Sequence, residues 1–443
     1  MRFLHFEQVK LLPYAVRWLL LATLVGVLAG SASALFLVAL DSATHYQEQH
    51  RWLVWLLPVA GFVVAWVYLK VGKSVETGNN LLIDEIHDPQ KVVPLRMAPL
   101  ILVSTVVSHL FGASVGREGT AVQMGGALAD QLTGIFRLNK EDRRILLMAG
   151  IAAGFASVFG TPLAGAVFAL EVLAIGRLRY DALLACTIAA IIGDQTTTLW
   201  GVHHTHYAIN SLPDITAWGL AATLIAGAVF GIVGMLFANG AHWFGDTMKR
   251  LVPYAPLRPV LGGVVIASAL WFLGAWRYAG LGIPVIVEAF EQPLSSIDFV
   301  GKMVFTIASL GSGFKGGEVT PLFYIGATLG NALAPLLNMP FPLLAAIGFV
   351  GVFAGAANTP LACTLMAMEL FGPGIGVYAL LACVMSYLFS GHTGIYKSQR
   401  VGRSKHLPLP EGIKMGQVPD YQRQQRVASA ARPNPANDKT RQN

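Results

Sequence analysis

Charge is what this chain has least of. Of its 443 residues only 12% are Asp, Glu, Lys or Arg, and 54% are hydrophobic. A soluble domain carries about 25% charged residues. With a mean hydropathy of +0.58, the composition excludes an ordinary soluble protein and indicates a polytopic membrane protein. Cysteine is scarce too. Cys186, Cys363 and Cys383 each sit in an apolar run, with no CxxC pair and no nearby ligand set. They read as small packing residues, not as a disulfide framework or a metal site. No HExxH, no serine–lysine or aspartyl dyad and no cofactor loop occurs, so the chain does not read as an enzyme and no cofactor is expected. The first apolar run lacks a cleavage site and reads as a membrane helix, not a signal peptide.

What is present is apolar sequence rich in glycine, 47 residues of it, as close helix packing in a membrane favours. The net charge of +7 is not a nucleic-acid signal. Basic residues collect in the N-terminal segment, short loops and the tail, where positive-inside sorting puts them.

Inside the apolar sequence lies Gly116-Arg117-Glu118-Gly119-Thr120. A carboxylate at membrane depth is costly and is a functional-site hypothesis by default. Gly116 and Gly119 leave the backbone free for close approach to an ion. A helix starting here would aim its free N–H groups and positive dipole end at an anion. The plain alternative is that Glu118 pairs with Arg117 or caps the helix.

Along the chain, Met1–Val16 is expected on the inner membrane surface. Apolar segments follow at 18–40 (interrupted at 30–34), 52–69 and 94–111. The run 121–132 is too short for the about 20 residues that a membrane crossing needs. Arg137–Arg144 reads as a charged cytoplasmic loop. His203, His204 and His206 lie in a polar segment with no carboxylate partner in view, and read as a solvated loop rather than a metal site. After Lys397 apolar periodicity stops, and 397–443 is expected to be a basic, disordered cytoplasmic tail.

Two motifs recur in order. Gly116-Arg117-Glu118-Gly119-Thr120 matches Gly316-Gly317-Glu318-Val319-Thr320 at an offset of 200 (318 − 118). Thr161-Pro162-Leu163-Ala164 matches Thr359-Pro360-Leu361-Ala362 at 198 (359 − 161). Proline cannot donate within a helix, so the runs 146–174 and 341–371 each divide there. A duplicated membrane half with Pro/Gly-broken helices in matching places points to a secondary transporter with its site between opposed half-helices. The halves are 17–200 and 215–396. Whether they are parallel or inverted is open at this level.

These residues resemble the CLC family of chloride channels and proton-coupled anion transporters. The family's Gly-Arg-Glu-Gly-Pro appears as Gly116 to Thr120, followed by Val122-Gln123-Met124-Gly125-Gly126. Thr161-Pro162-Leu163-Ala164-Gly165 and the Gly316-Gly317 pair before Pro321 are similar as well. The resemblance covers about the first membrane helix to Tyr396. It implies an all-α, inverted-repeat fold with broken half-helices over residues 1–396, a homodimer with one pathway per subunit, and a multi-pass inner-membrane location with both termini cytoplasmic.

The departures matter more. Where chloride-type members carry Gly-Ser-Gly-Ile-Pro, this chain has Gly78-Asn79-Asn80-Leu81-Leu82. Thr120 replaces a proline, and Gly317-Glu318-Val319-Thr320-Pro321 replaces Gly-x-Phe-x-Pro. The inner proton-transfer glutamate falls on Val172, beside Glu171, which reads as structural. These features are similar to the fluoride/proton antiporter branch. They imply fluoride and protons as transported partners, with lipid around the protein and export of cytoplasmic fluoride as its task. A chloride/proton exchanger or passive chloride channel is the alternative.

The resemblance makes Glu118 the gating and proton-coupling acid and Glu318 a second proton-handling group, or a plain helix cap. Asn79, Asn80, Gly119, Thr120, Val319, Thr320 and Tyr396 become anion-site candidates. Fluoride is small and strongly hydrated, so amides, hydroxyls and backbone N–H groups are the donors that suit it. Asn79-Asn80 as a turn or cap, and Tyr396 as an interfacial anchor, are the structural alternatives.

Overall fold

The computed structural model describes residues 7–205, 207, 209 and 212–430. The first half contains α1 (Glu7–Gln49), α2 (Leu57–Val67), α3 (Asn79–His87), α4 (Met97–Leu110), α5 (Glu118–Ile135), α6 (Lys140–Phe159), α7 (Pro162–Glu171) and α8 (Leu183–Leu199). The second contains α9 (Ala217–Leu251), α10 (Leu257–Phe272), α11 (Ile283–Glu291), α12 (Asp298–Ser312), α13 (Val319–Leu337), α14 (Phe341–Ala357), α15 (Pro360–Phe371) and α16 (Gly376–Phe389). Of the segment 1–16 expected on the inner membrane surface, residues 7–16 form the first turns of α1 and 1–6 lie outside the described residues; α1 continues through the small residues at 30–34.

Among the described residues, five helical segments are long and apolar enough to cross a membrane: Leu11–Gln49, Arg51–His87, Tyr180–Leu199, Ala217–Leu251 and Val319–Leu337. Several others, α7 and α15 among them, are much shorter, and that sets up the site. At 1.5 Å per residue, a helix such as α7, with 10 residues, spans about 15 Å, half of a hydrocarbon core. Its end must therefore lie inside the protein. The expected break at each Thr-Pro is present and has the same construction twice. Gly160 (φ 71°) and Asn358 (φ 58°) end α6 and α14 in the left-handed region. A threonine follows, and then proline opens the next helix at its first position, where its missing N–H is no loss.

Reciprocal contacts relate the halves. The Glu171 carboxylate, at the end of α7, accepts the N–H groups of Leu361 and Ala362 at the start of α15, at 3.1 and 2.9 Å. Glu369 of α15 accepts those of Leu163 and Ala164 at the start of α7, at 2.8 and 2.9 Å. Each acid occupies the orphan donors of the other half's helix. The expectation that Glu171 is structural agrees with this arrangement.

The disordered-tail expectation fails between Lys397 and Ala430. Arg400–Val401 (β2) pairs in parallel with Ala174–Ile175 (β1), and Val418–Ala430 forms α17. Ile175, Val401, Met415 and Val418 close a small apolar cluster. Gln399 Nε2 donates to the carbonyls of Val172 and Ala357, at 2.9 and 3.0 Å. The segment is polar because its side chains satisfy carbonyls at the C-termini of α7 and α14 instead of presenting a long apolar face. Residues 431–443 lie outside the described part.

Candidate functional site

The site is assembled where α3, α5 and α13 begin. Gly116, just before α5, and Gly317, just before α13, form an antiparallel bridge. A Cβ on Gly317 would lie 2.8 Å from the Gly119 nitrogen, and one on Gly116 would lie 2.9 Å from the Gly317 carbonyl oxygen. These glycines are therefore needed for backbone to approach backbone. At Gly116 the expectation had been approach to an ion.

That contact sets Glu118 across the repeat boundary. Its carboxylate is 1% exposed. Oε2 accepts the Thr320 N–H at 3.0 Å, and Oε1 accepts the Thr320 hydroxyl. Oε2 also accepts the Arg117 N–H at 3.2 Å, and the Arg117 guanidinium Nε lies 3.4 Å from Oε1. The pairing with Arg117 is thus present, but it is a minor part of the arrangement. The carboxylate sits on the electropositive tip of the opposing helix, where an inorganic anion would also be held.

The relation is not mutual. The Thr120 hydroxyl is shared with Thr105 of α4 at 2.7 Å, and its N–H donates to the Arg117 carbonyl at 3.1 Å. Of the two matched threonines, only Thr320 presents its hydroxyl to the site. Glu318, at the N-cap of α13, makes no side-chain cap bond. Capping does not account for it, because Glu118 has taken that place. Val319 is the buried first residue of α13.

Asn79 opens α3. A Cβ on Gly119 would lie 3.1 Å from its Nδ2, so the amide borders the Glu118 helix, and its buried Oδ1 has no hydrogen-bond partner. Asn80 turns elsewhere. Its Oδ1 accepts the Ser398 N–H at 2.9 Å, while Ser398 Oγ and Lys414 Nζ hold Asp84 of the same helix at 2.9 and 2.7 Å. Tyr396 is 5% exposed, which rules out an interfacial anchor, and it lies within coulombic range of both Glu118 and Glu318.

Two features were not legible in advance. Arg143, expected in a charged cytoplasmic loop, lies on α6 and is 5% exposed. Its guanidinium forks onto Asp130 of α5 at 2.8 Å twice and reaches Glu85 of α3 at 3.0 Å. This bidentate pair ties α3 to α5 and α6, and so fixes the position of Asn79. The second feature is His204. It is not solvated: its Nε2 lies 3.6 Å from Asp194 Oδ1, with the side chains 14% and 12% exposed. It lines a narrow cavity of about 10 Å³ together with Glu118 and Thr320. His206 falls outside the described residues. Among the described residues, no three His, Cys, Asp or Glu side chains gather as a metal site.

Residues 60–391 match the voltage-gated chloride channel family. A chloride/fluoride channel protein of Pseudomonas syringae pv. tomato is 64% identical over 430 residues, covering 96% of this chain and 95% of the relative. An H(+)/Cl(-) exchange transporter, ClcA, of Cronobacter sakazakii is 29% identical over 387 residues, 80% of this chain and 81% of its own. Among solved structures, a CLC-type fluoride/proton antiporter superposes with a TM-score of 0.85 at 36% identity, over 87% of this chain and 98% of that one. A slow cyanobacterial Cl-/H+ antiporter, at 21% identity and a TM-score of 0.75, shares the fold. On its helical architecture, its opposed half-helix tips and these similarities, the chain belongs to the voltage-gated chloride channel family, the CLC membrane proteins.

Proposed function

We propose that this protein is a fluoride/proton antiporter that expels cytoplasmic fluoride from the cell across the inner membrane. One observation carries the reading: the Glu118 carboxylate is seated on the Thr320 amide and hydroxyl at the tip of α13. An anion-shaped donor site is occupied there by the protein's own acid. Deprotonated, Glu118 fills the site; protonated, it loses its attraction for the donors and yields them to fluoride. Exchange of the two occupants couples proton movement to anion movement.

In this mechanism Thr320, the first N–H groups of α13 and the Asn79 amide supply hard, close donors that replace the water of a strongly hydrated ion. Gly119 keeps the Asn79 amide close to the Glu118 helix. Glu318 and Tyr396 line the route by which the proton leaves toward the inner side. Asn80 holds α3 to the segment after Tyr396, and Thr120 holds α5 to α4; both support the site without offering donors to it. The protein works as a homodimer with both termini cytoplasmic, as the family resemblance implies.

Support comes from the 36% identical fluoride/proton antiporter structure and the chloride/fluoride channel relative. The chloride/proton exchange relative favours chloride as a second substrate. In liposomes, fluoride efflux down its gradient should drive proton uptake. Fluoride flux without proton movement would refute antiport, and equal transport of chloride in competition would refute fluoride selectivity.

A further inference from the structure

Glu118 can leave its donors only after it gains a proton, and the source of that proton must face the same cavity. Arg117, Glu118, His204, Thr205, Tyr207 and Thr320 supply its polar lining. Its volume of about 10 Å³ admits one water. An arginine stays charged, threonine does not titrate, and a phenol's ordinary value is about 10. Imidazole is the side-chain type present here that carries and releases a proton near neutrality.

His204 is built in, not loosely attached. Its ring lies against the α6–α7 junction, where a Cβ on Gly160 would be 2.5 Å from Cδ2. Its Nε2 is buried without a hydrogen-bond partner and lies 3.6 Å from Asp194 Oδ1 on α8. Gln195 Nε2 holds the other Asp194 oxygen at 3.1 Å. Arg117 faces the cavity from the α5 side, and Glu369 of α15 lies within coulombic range of Asp194. The junction is at the end of α6 opposite its basic start at Lys140, Arg143 and Arg144, so on the proposed orientation His204 faces the outer side.

We propose that His204, supported by Asp194, is the outer proton-relay residue that loads Glu118. The imidazolium gives a ring proton to a water admitted to the cavity, and that water passes a proton to the Glu118 carboxylate. His204, now neutral, is recharged from the outer solution, with Asp194 Oδ1 beside it at 3.6 Å. The steps reverse when Glu118 discharges outward.

This inference rests on the antiport reading, and the experiment separates the two. Full-length protein in liposomes is assayed for coupled fluoride/proton exchange against outer pH. His204→Asn should slow exchange by roughly tenfold or more and flatten the outer-pH profile, with fluoride binding by calorimetry unchanged. His204→Ala should regain exchange when imidazole is added outside. Asp194→Asn, which alters the group beside the ring, should slow exchange in the same assay. A wild-type rate and profile in His204→Asn would overturn the relay, as would a slow His204→Ala that imidazole does not accelerate. Wild-type protein with no coupled exchange would instead overturn the antiport reading.

Discussion

Gly116 and Gly317 exchange a pair of backbone hydrogen bonds, N–H to carbonyl at 2.6 Å one way and 2.7 Å the other. They belong to segments 201 positions apart (317 − 116), each just ahead of the helix whose tip forms the site. The bridge is a backbone clamp between the halves. It brings the α5 and α13 tips so close that Glu118 reaches Thr320 in the other half.

The clamp has little space. Gly317→Ala would put a Cβ 2.8 Å from the Gly119 nitrogen and 3.4 Å from that of Glu118. Overpacking of this kind costs about 1–3 kcal/mol. Thermal unfolding of the variant should show a lower Tm, and exchange should slow. Gly134→Ala is the control: it has open space in α5 and should be neutral or stabilising. Equal behaviour of the two would disprove the clamp.

Thr320 contributes both an N–H and a hydroxyl to Glu118. Thr320→Val keeps the shape and the N–H but removes the hydroxyl. A hydrogen bond to a charged group is worth about 1.5–3 kcal/mol, so fluoride affinity by calorimetry should fall roughly tenfold to a hundredfold. Thr320→Ser should retain most of it. The matched change Thr120→Val should leave affinity near wild type, because that hydroxyl is shared with Thr105.

Glu118→Gln keeps a side chain of similar size that cannot carry the negative charge or the exchangeable proton. Proton uptake driven by fluoride, read with a pH dye in liposomes, should fall by about a hundredfold. Wild-type coupling in this variant would remove Glu118 from its role.

Buried carboxylates elsewhere should behave differently. Glu171 and Glu369 hold helix N-termini. Glu171→Gln or Glu369→Gln should cost about 1–2 kcal/mol of stability, seen as a lower Tm. The ratio of fluoride to protons should not change. A changed ratio would place these acids on the proton route.

Removing residues after Tyr396 should destabilise the protein. It deletes the Gln399 bonds to the Val172 and Ala357 carbonyls and the Ser398 bond to Asn80. If the chain ending at Tyr396 matched wild type in Tm and exchange rate, the packed segment would have no structural role.

The mostly helical fold was legible through the family resemblance that the repeated motifs carry. The membrane class, those motifs and the two Thr-Pro breaks were legible in the sequence, each from a local property: hydropathy, a recurring motif, or a residue type that a helix cannot continue through. The same applies to Glu118, since a carboxylate in an apolar run stands out whatever surrounds it. Tertiary structure decided what those residues touch. It set Thr320 and not Thr120 on the carboxylate, although both stand in the same motif, because Thr105 lies beside one and Glu118 beside the other. It buried Arg143 between Asp130 and Glu85, set His204 beside Asp194, and packed the segment after Lys397 against helix ends. A polar side chain looks the same in sequence whether water or a distant carboxylate satisfies it, and only folding chooses between them.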